Sequence, residues 1–266
     1  MKKSGEKKQR TSSVRTPQVY FVGAGPGDPE LLTVKGQKLL RKAKVVIYAG
    51  SLVNPALLKG LKSKVLDSAS MDLDEIIAAI KKAVKRDELV VRLHTGDTSF
   101  YSAITEQIER LQELGISYEV IPGVSSALAG AAAIGQELTI PEVSQTVIFT
   151  RLEGRTPVPK KERLSGLATH QATLVIFLSV GMIDKVVAEL MEGYPKNTPV
   201  VVIEKASWPQ QKIVRGTLKT IAGLVAEAGI RKTALIYVGK ALCASEQAMS
   251  KESKLYHRDF RHEFRK

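Results

Sequence analysis

Residues 18–28, QVYFVGAGPGD, set a short apolar run directly against a loop with glycines at 23, 25 and 27. A run of that length reads as a buried strand, and the glycines let the backbone turn tightly and approach a ligand with no Cβ in the way. The same alternation of short apolar runs and longer amphipathic ones continues outward. Thr33 reads as the cap of a helix through Lys42, and VVIY (45–48) and KVLD (64–67) as strands. Asp72 and Glu75 have capping-box spacing ahead of a helix whose Leu73, Ile76, Ile77 and Ile80 share one apolar face. That helix leads to the strand LVVRLH (89–94). Residues 101–114 read as a helix stopped at Gly115, YEVIP (118–122) as a strand, and 125–135 as a helix of small residues.

After ELTIPEVS (137–144) the pattern restarts with TVIFT, ATLVIFL, PVVVIEKA, KIVRGTL and ALIYV. The spacing predicts an α/β fold of two α/β domains, residues 18–138 and 139–249, and ligands of such folds bind at the carboxyl ends of strands and in the cleft where two domains meet, which is where an active site is expected. A basic tail at 1–17, expected to be disordered, and a basic extension at 250–266 flank them. A chain of 266 residues, 44% hydrophobic with a mean hydropathy of −0.05, suits two modest cores.

The net charge of +13 raises the question of a polyanionic partner. Residues 1–17 hold six Lys/Arg against one Glu, and 250–266 hold six against three acids, so the body carries only +5. That distribution speaks against a nucleic-acid surface, as does an aromatic content of 5% with no aromatic-basic stripe. The basic opening runs into TSSVRTPQ, not an apolar segment, and no run is long enough to cross a bilayer. With Cys243 as the lone cysteine, a cytoplasmic location is expected, without a disulfide or a cysteine-based metal cluster.

Three loops follow predicted strands. The first, GAGPGD, has Asp28 where a dinucleotide fingerprint wants glycine, and no Gly-Lys-Ser/Thr follows, so both common phosphate-binding explanations fail and a structural turn stays open. The second, HTGD (94–97), offers Asp97 either as a helix cap or as a ligand contact. His94 has no second ligand at metal-binding spacing. The third, PGVSS (122–126), supplies hydroxyls that cap a helix or bond a ligand. Later, Arg151 and Arg155 flank Gly154 in the proline-containing TRLEGRTPVP (150–159). Two guanidinium groups on a stiff loop can grip carboxylates in bidentate fashion.

With these motifs assembled, the chain resembles the tetrapyrrole methyltransferases, and within them the branch that methylates carbon-11 of precorrin-4, with or without cobalt, in cobalamin synthesis. The resemblance runs from Gln18 onward. It is carried by VGAGPGDPELLTVKGQKLL, YAGSLV, HTGDTSFYSAITEQ, IPGVSSALAGAAA, TRLEGRTPVP, KASWP and LYHRDFRHEFR. The usual HTGDP reads HTGDT here, with Thr98 in place of proline.

The resemblance implies S-adenosyl-L-methionine as cofactor, S-adenosylhomocysteine as product, a tetrapyrrole substrate and a homodimer, with no nucleic-acid or membrane partner. Matched motifs assign Thr95, Gly96, Asp97, Phe100, Ser125, Ser126, Leu178, Ala206 and Pro26 to the cofactor. They assign Gly25, Ser51, Arg151 and Arg155 to the substrate, with the glycine loop beside the tetrapyrrole trough. Methyl transfer from sulfonium is an in-line displacement that demands no acid-base dyad, so no catalytic residue and no metal are assigned. Relatives acting on another precorrin, on uroporphyrinogen III or on ribosomal RNA are the alternatives within the fold.

Overall fold

The structure, a computed structural model, describes residues 16–243 together with Phe260, Arg261 and Glu263. The expectations for the two basic tails therefore lie almost wholly outside the described residues. Two five-stranded sheets organise the described residues. The first contains β1 (Val19–Gly23), β2 (Val45–Tyr48), β3 (Lys64–Asp67), β4 (Val90–His94) and β5 (Tyr118–Ile121) in the order β3-β2-β4-β1-β5. All its pairings are parallel, so every strand ends on the same edge. Helices α1 (Val34–Lys42), α2 (Leu73–Val84) and α3 (Thr105–Glu113) supply the crossovers.

The second sheet contains β6 (Val147–Arg151), β7 (Thr173–Phe177), β8 (Pro199–Glu204), β9 (Lys212–Thr217) and β10 (Ala234–Val238) in the order β6-β7-β10-β8-β9. Here β6 and β7 are parallel, while β10 runs antiparallel to both β7 and β8. Strands β6, β7 and β8 therefore point the same way and end on one edge. The link from β8 to β9, residues 205–211, is too short for a crossover helix, and the two strands pair antiparallel. Helices α5 (Leu164–Ala168), α6 (Ile183–Leu190) and α7 (Ile221–Glu227) complete this half.

Several local expectations hold for physical reasons. Thr33 caps α1 through Gly36 N, and Asp72 and Glu75 form a reciprocal capping box on α2. The helix expected over 101–114 starts only at Thr105, because Tyr101 (φ 53°) and Ala103 (φ 47°) adopt left-handed backbone that no α-helix accommodates.

Helix α4 (Ser126–Ala133) follows β5 of the first sheet but packs against the second. Its Ala127, Ala129 and Ala131 join a core with Val175, Phe177, Val201, Ile203 and Tyr237. The Tyr237 hydroxyl lies over Gly130 and donates to the Ala127 carbonyl at 2.9 Å. Burial pushes that phenol above its ordinary pKa, so it remains a donor. The two halves are thereby tied through one small-residue helix.

Candidate functional site

The predicted site residues gather at the carboxyl edges of the two sheets. On the first sheet, the loops after β1, β4 and β5 touch backbone to backbone. Gly25 and Gly96 exchange two hydrogen bonds, Gly25 N to Gly96 O at 3.2 Å and Gly96 N to Gly25 O at 2.8 Å. A Cβ added at Gly123 would meet Gly96 O at 2.3 Å and Gly23 Cα at 2.8 Å. Gly23 and Gly123 are therefore steric requirements of one joined body, a reading the isolated motifs did not force.

Asp97 fixes this body and caps no helix. One carboxylate oxygen accepts from Gly123 N and the other from Ser99 N, each at 2.8 Å. Helix α3 begins at Thr105 with no side-chain cap. Burial alone would raise the Asp97 pKa, but these hydrogen bonds outweigh it and leave the carboxyl below its usual value. The Asp97→Ala protein is expected to lose about 1.5–3 kcal/mol of stability, since two backbone donors lose a charged acceptor. A thermal melt with unchanged midpoint would show that the carboxylate carries no such role.

Ser125 caps α4 by accepting from Ala127 N at 3.3 Å. Ser126 opens the helix, half-buried, as is Thr95. Gly96 leaves room, since a Cβ there meets nothing closer than Ser126 N at 3.6 Å. Phe100 crosses to the other half, with ring centroids 5.2 Å from Phe149 and 6.1 Å from Phe177.

On the second sheet, Leu178 follows β7 in left-handed backbone (φ 56°) and is 69% exposed. An aliphatic side chain held out of the core on strained backbone is the kind of outlier that gathers at binding sites. Ala206 follows β8 and is buried, between left-handed Lys205 and Ser207. Pro26 is buried in the glycine loop, and its carbonyl accepts from the Trp208 indole at 2.8 Å. This contact, and the whole link between GAGPGD and KASWP, escaped the sequence reading. The lone tryptophan two residues beyond Ala206 was the available signal.

The substrate assignments meet a mixed environment. The Arg151 guanidinium is engaged by its own loop, donating to the carbonyls of Thr156 at 3.1 Å and Pro157 at 2.8 Å. Arg155 is exposed. Ser51 lies in the turn Gly50–Leu52 after β2, but its side chain is outside the described ones. A polar cavity of about 320 Å³, lined by Arg151, Glu153, Arg163, Lys185, Glu189 and Glu192, shares only Arg151 with the predicted site.

His94 ends β4 and is turned inward, 3% exposed. Its ring lies 6.0 Å from that of Phe21. Burial, with a smaller contribution from Arg92, pulls its pKa down to about 3, so it is a neutral core residue. Its Nε2 and the Thr98 hydroxyl have no hydrogen-bond partner among the described residues. Arg92 is also buried, donating to Gln107 Oε1 and the Ile47 carbonyl. Among the described residues no group of His, Cys, Asp or Glu is placed to hold a metal ion, and no helix is long and apolar enough to cross a membrane.

The geometry has counterparts. A family described as Tetrapyrrole (Corrin/Porphyrin) Methylases matches residues 18–222. The cobalt-precorrin-4 C(11)-methyltransferase of Methanocaldococcus jannaschii is 58% identical over 252 residues, covering 94% of this chain and 96% of that protein. The X-ray structure of a cobalt-precorrin-4 methyltransferase, described as a cobalamin biosynthetic enzyme, is similar with a TM-score of 0.83 and 48% identity. It covers 84% of this chain and 95% of its own. The uroporphyrin-III C-methyltransferase of Thermus thermophilus, complexed with S-adenosylhomocysteine, is similar with a TM-score of 0.71 and 29% identity, covering 85% and 93%. Joined glycine loops on one sheet edge, an uncovered leucine on the other and a match across most of the described residues lead to one assignment: the chain belongs to the tetrapyrrole (corrin/porphyrin) methylases.

Proposed function

We propose that the protein transfers a methyl group from S-adenosyl-L-methionine to carbon-11 of precorrin-4, or of its cobalt complex, in cobalamin synthesis. The observation that carries the reading is the bonded pair of loops Gly96–Asp97 and Gly123–Ser126 with Phe100, whose ring packs on Phe177 next to the exposed Leu178. Backbone polar groups and apolar side chains meet there, as an adenosine and an amino-acid tail require. Bound, the cofactor supplies an electrophilic methyl group. Thr95, Gly96, Asp97, Phe100, Ser125, Ser126, Leu178 and Ala206 would hold it, with Pro26 at the margin. Their part is to orient the reactants and to exclude water, which favours the dispersal of the sulfonium's positive charge along the displacement.

Gly25, Ser51, Arg151 and Arg155 are assigned to the tetrapyrrole, whose carboxylates suit a guanidinium. Because Arg151 braces residues 156–157, Arg151→Lys should raise the tetrapyrrole KM and loosen the loop. Arg155→Lys should raise KM alone, by about tenfold for a lost charged hydrogen bond. Equal melting curves for the two variants would contradict that division. The working unit is taken to be a homodimer in the cytoplasm, on the family resemblance and the lone cysteine.

The deciding experiment incubates purified protein with S-adenosylmethionine carrying a ¹³C-methyl group and with precorrin-4, metal-free and cobalt-loaded, then locates the label by NMR. Label at carbon-11 is expected. Label at another carbon, or none while S-adenosylhomocysteine binds normally, would overturn the substrate assignment.

A further inference from the structure

A cross-link between the two halves is made from the second sheet by Trp208 and Ser207, to which nothing above assigns a role in turnover. Trp208, in the 205–211 link, lays its indole so closely on the glycine loop that a Cβ at Gly27 would fall 2.0 Å from Trp208 Cδ1. Its Nε1 donates to Pro26 O at 2.8 Å. Beside it, Ser207 Oγ accepts from Asp28 N at 2.9 Å. From the other side, Asn54 Nδ2 donates to Gly27 O at 2.7 Å. The glycine loop is thus clamped between β2's continuation in one half and β8's continuation in the other.

The 205–208 turn is itself held under strain. Lys205 (φ 49°) and Ser207 (φ 68°) are left-handed without being glycine, a conformation that persists only where surrounding bonds impose it. Those bonds are Trp208 N to Lys205 O at 3.0 Å, Lys205 N to Thr233 O at 2.9 Å and Ser207 N to Gln211 Oε1 at 2.8 Å. Ala206 sits between the two strained residues. Its position is therefore set by the same turn that grips Pro26 and Gly27, and through Gly25 and Gly96 by the loops of the first sheet.

We propose that Trp208 is a positioning residue, bolting the Ala206 wall to the Pro26–Gly27 loop and so fixing the separation of methyl donor and acceptor. The proposal rests on the cofactor and substrate reading given above. It concerns alignment more than affinity: a loosened bolt leaves each wall able to bind and degrades their mutual distance, to which displacement chemistry is sensitive.

The test uses the whole protein. Trp208→Phe keeps a ring on Gly27 and removes the indole N–H. Its kcat should fall about fivefold to tenfold, the misalignment being of the size of one lost hydrogen bond, with S-adenosylhomocysteine affinity changed less than about threefold by calorimetry. Wild-type kcat, or a parallel loss of kcat and affinity, would overturn the proposal. Trp208 is also the only tryptophan in the chain, so acrylamide quenching of wild-type emission reports on the bolt without any mutation. The indole, already seated on Gly27 and bonded to Pro26 without ligand, should be quenched well below the level of free tryptophan with or without saturating S-adenosylhomocysteine, and quenching as strong as that of free tryptophan overturns the proposal even if the variant does not fold. Calorimetry on wild-type protein separates the two levels. No binding at all removes the cofactor assignment, whereas normal binding with full Trp208→Phe turnover removes only the bolt.

Discussion

Gly123→Ala should cost at least about 3 kcal/mol of stability and lower S-adenosylhomocysteine affinity by about 100-fold or more. The added methyl group would sit 2.3 Å from Gly96 O, 2.8 Å from Gly23 Cα and 2.9 Å from Gly23 C. All three are backbone atoms, so no rotamer change relieves the clash. The loops must separate, and separation breaks both the Gly25–Gly96 pair and the bond from Gly123 N to Asp97. A matched control is Gly223→Ala in α7, where a Cβ meets nothing within 4 Å. Alanine in an open helical position should stabilise by about 0.5–1 kcal/mol. Differential scanning calorimetry with ligand titration reads both, and a Gly123→Ala protein that melts and binds like wild type would show that the three loops are not in contact.

Acid should destabilise the protein through His94. In the unfolded chain this imidazole titrates near 6.5, while in the fold burial pulls it down to about 3. Between those values the unfolded state binds the extra proton, so stability rises with pH. The contribution is complete above about pH 6.5 and is lost as the pH falls toward 3, amounting to roughly 4–5 kcal/mol across the window. Arg92 sharpens the effect as a buried cation near the ring. Urea midpoints measured at pH 7, 5 and 4 should fall steeply for wild type and less steeply for His94→Gln. Parallel slopes would mean that the carboxylates, Asp97 among them, account for the whole acid response.

Much of the fold could be read from residue spacing because burial and capping leave local marks. Asp72 and Glu75 formed the expected capping box, Thr33 capped its helix, and every expected strand pairs in one of the two sheets. What spacing did not give is what depends on distant partners. Phe100 and Leu178 carry no local sign that one spans the halves while the other is left uncovered. Asp97 looked like a cap because Asp before a helix usually is one, yet its oxygens go to Ser99 and, across the loop, to Gly123. The late start of α3 followed from left-handed Tyr101 and Ala103, residue types that give no warning of positive φ. Arg151 has the chemistry of a carboxylate ligand, and only the folding of its loop places the Thr156 and Pro157 carbonyls under its fork.

The seating of α4 on the far sheet also imposes an order on biosynthesis. When residues 126–133 leave the ribosome, the strands that cover them, β7, β8 and β10, have not yet been made. At about 5–20 residues per second, roughly 5–20 s pass before β10 emerges. During that interval the nascent chain displays an alanine-rich helix with its apolar side bare, a natural substrate for chaperones. The same arrangement tells where the polypeptide can be divided. A cut before Ser125 leaves α4 with the sheet that buries it, whereas a cut after Leu138 strands it on the sheet that does not, and the amino-terminal fragment should then aggregate.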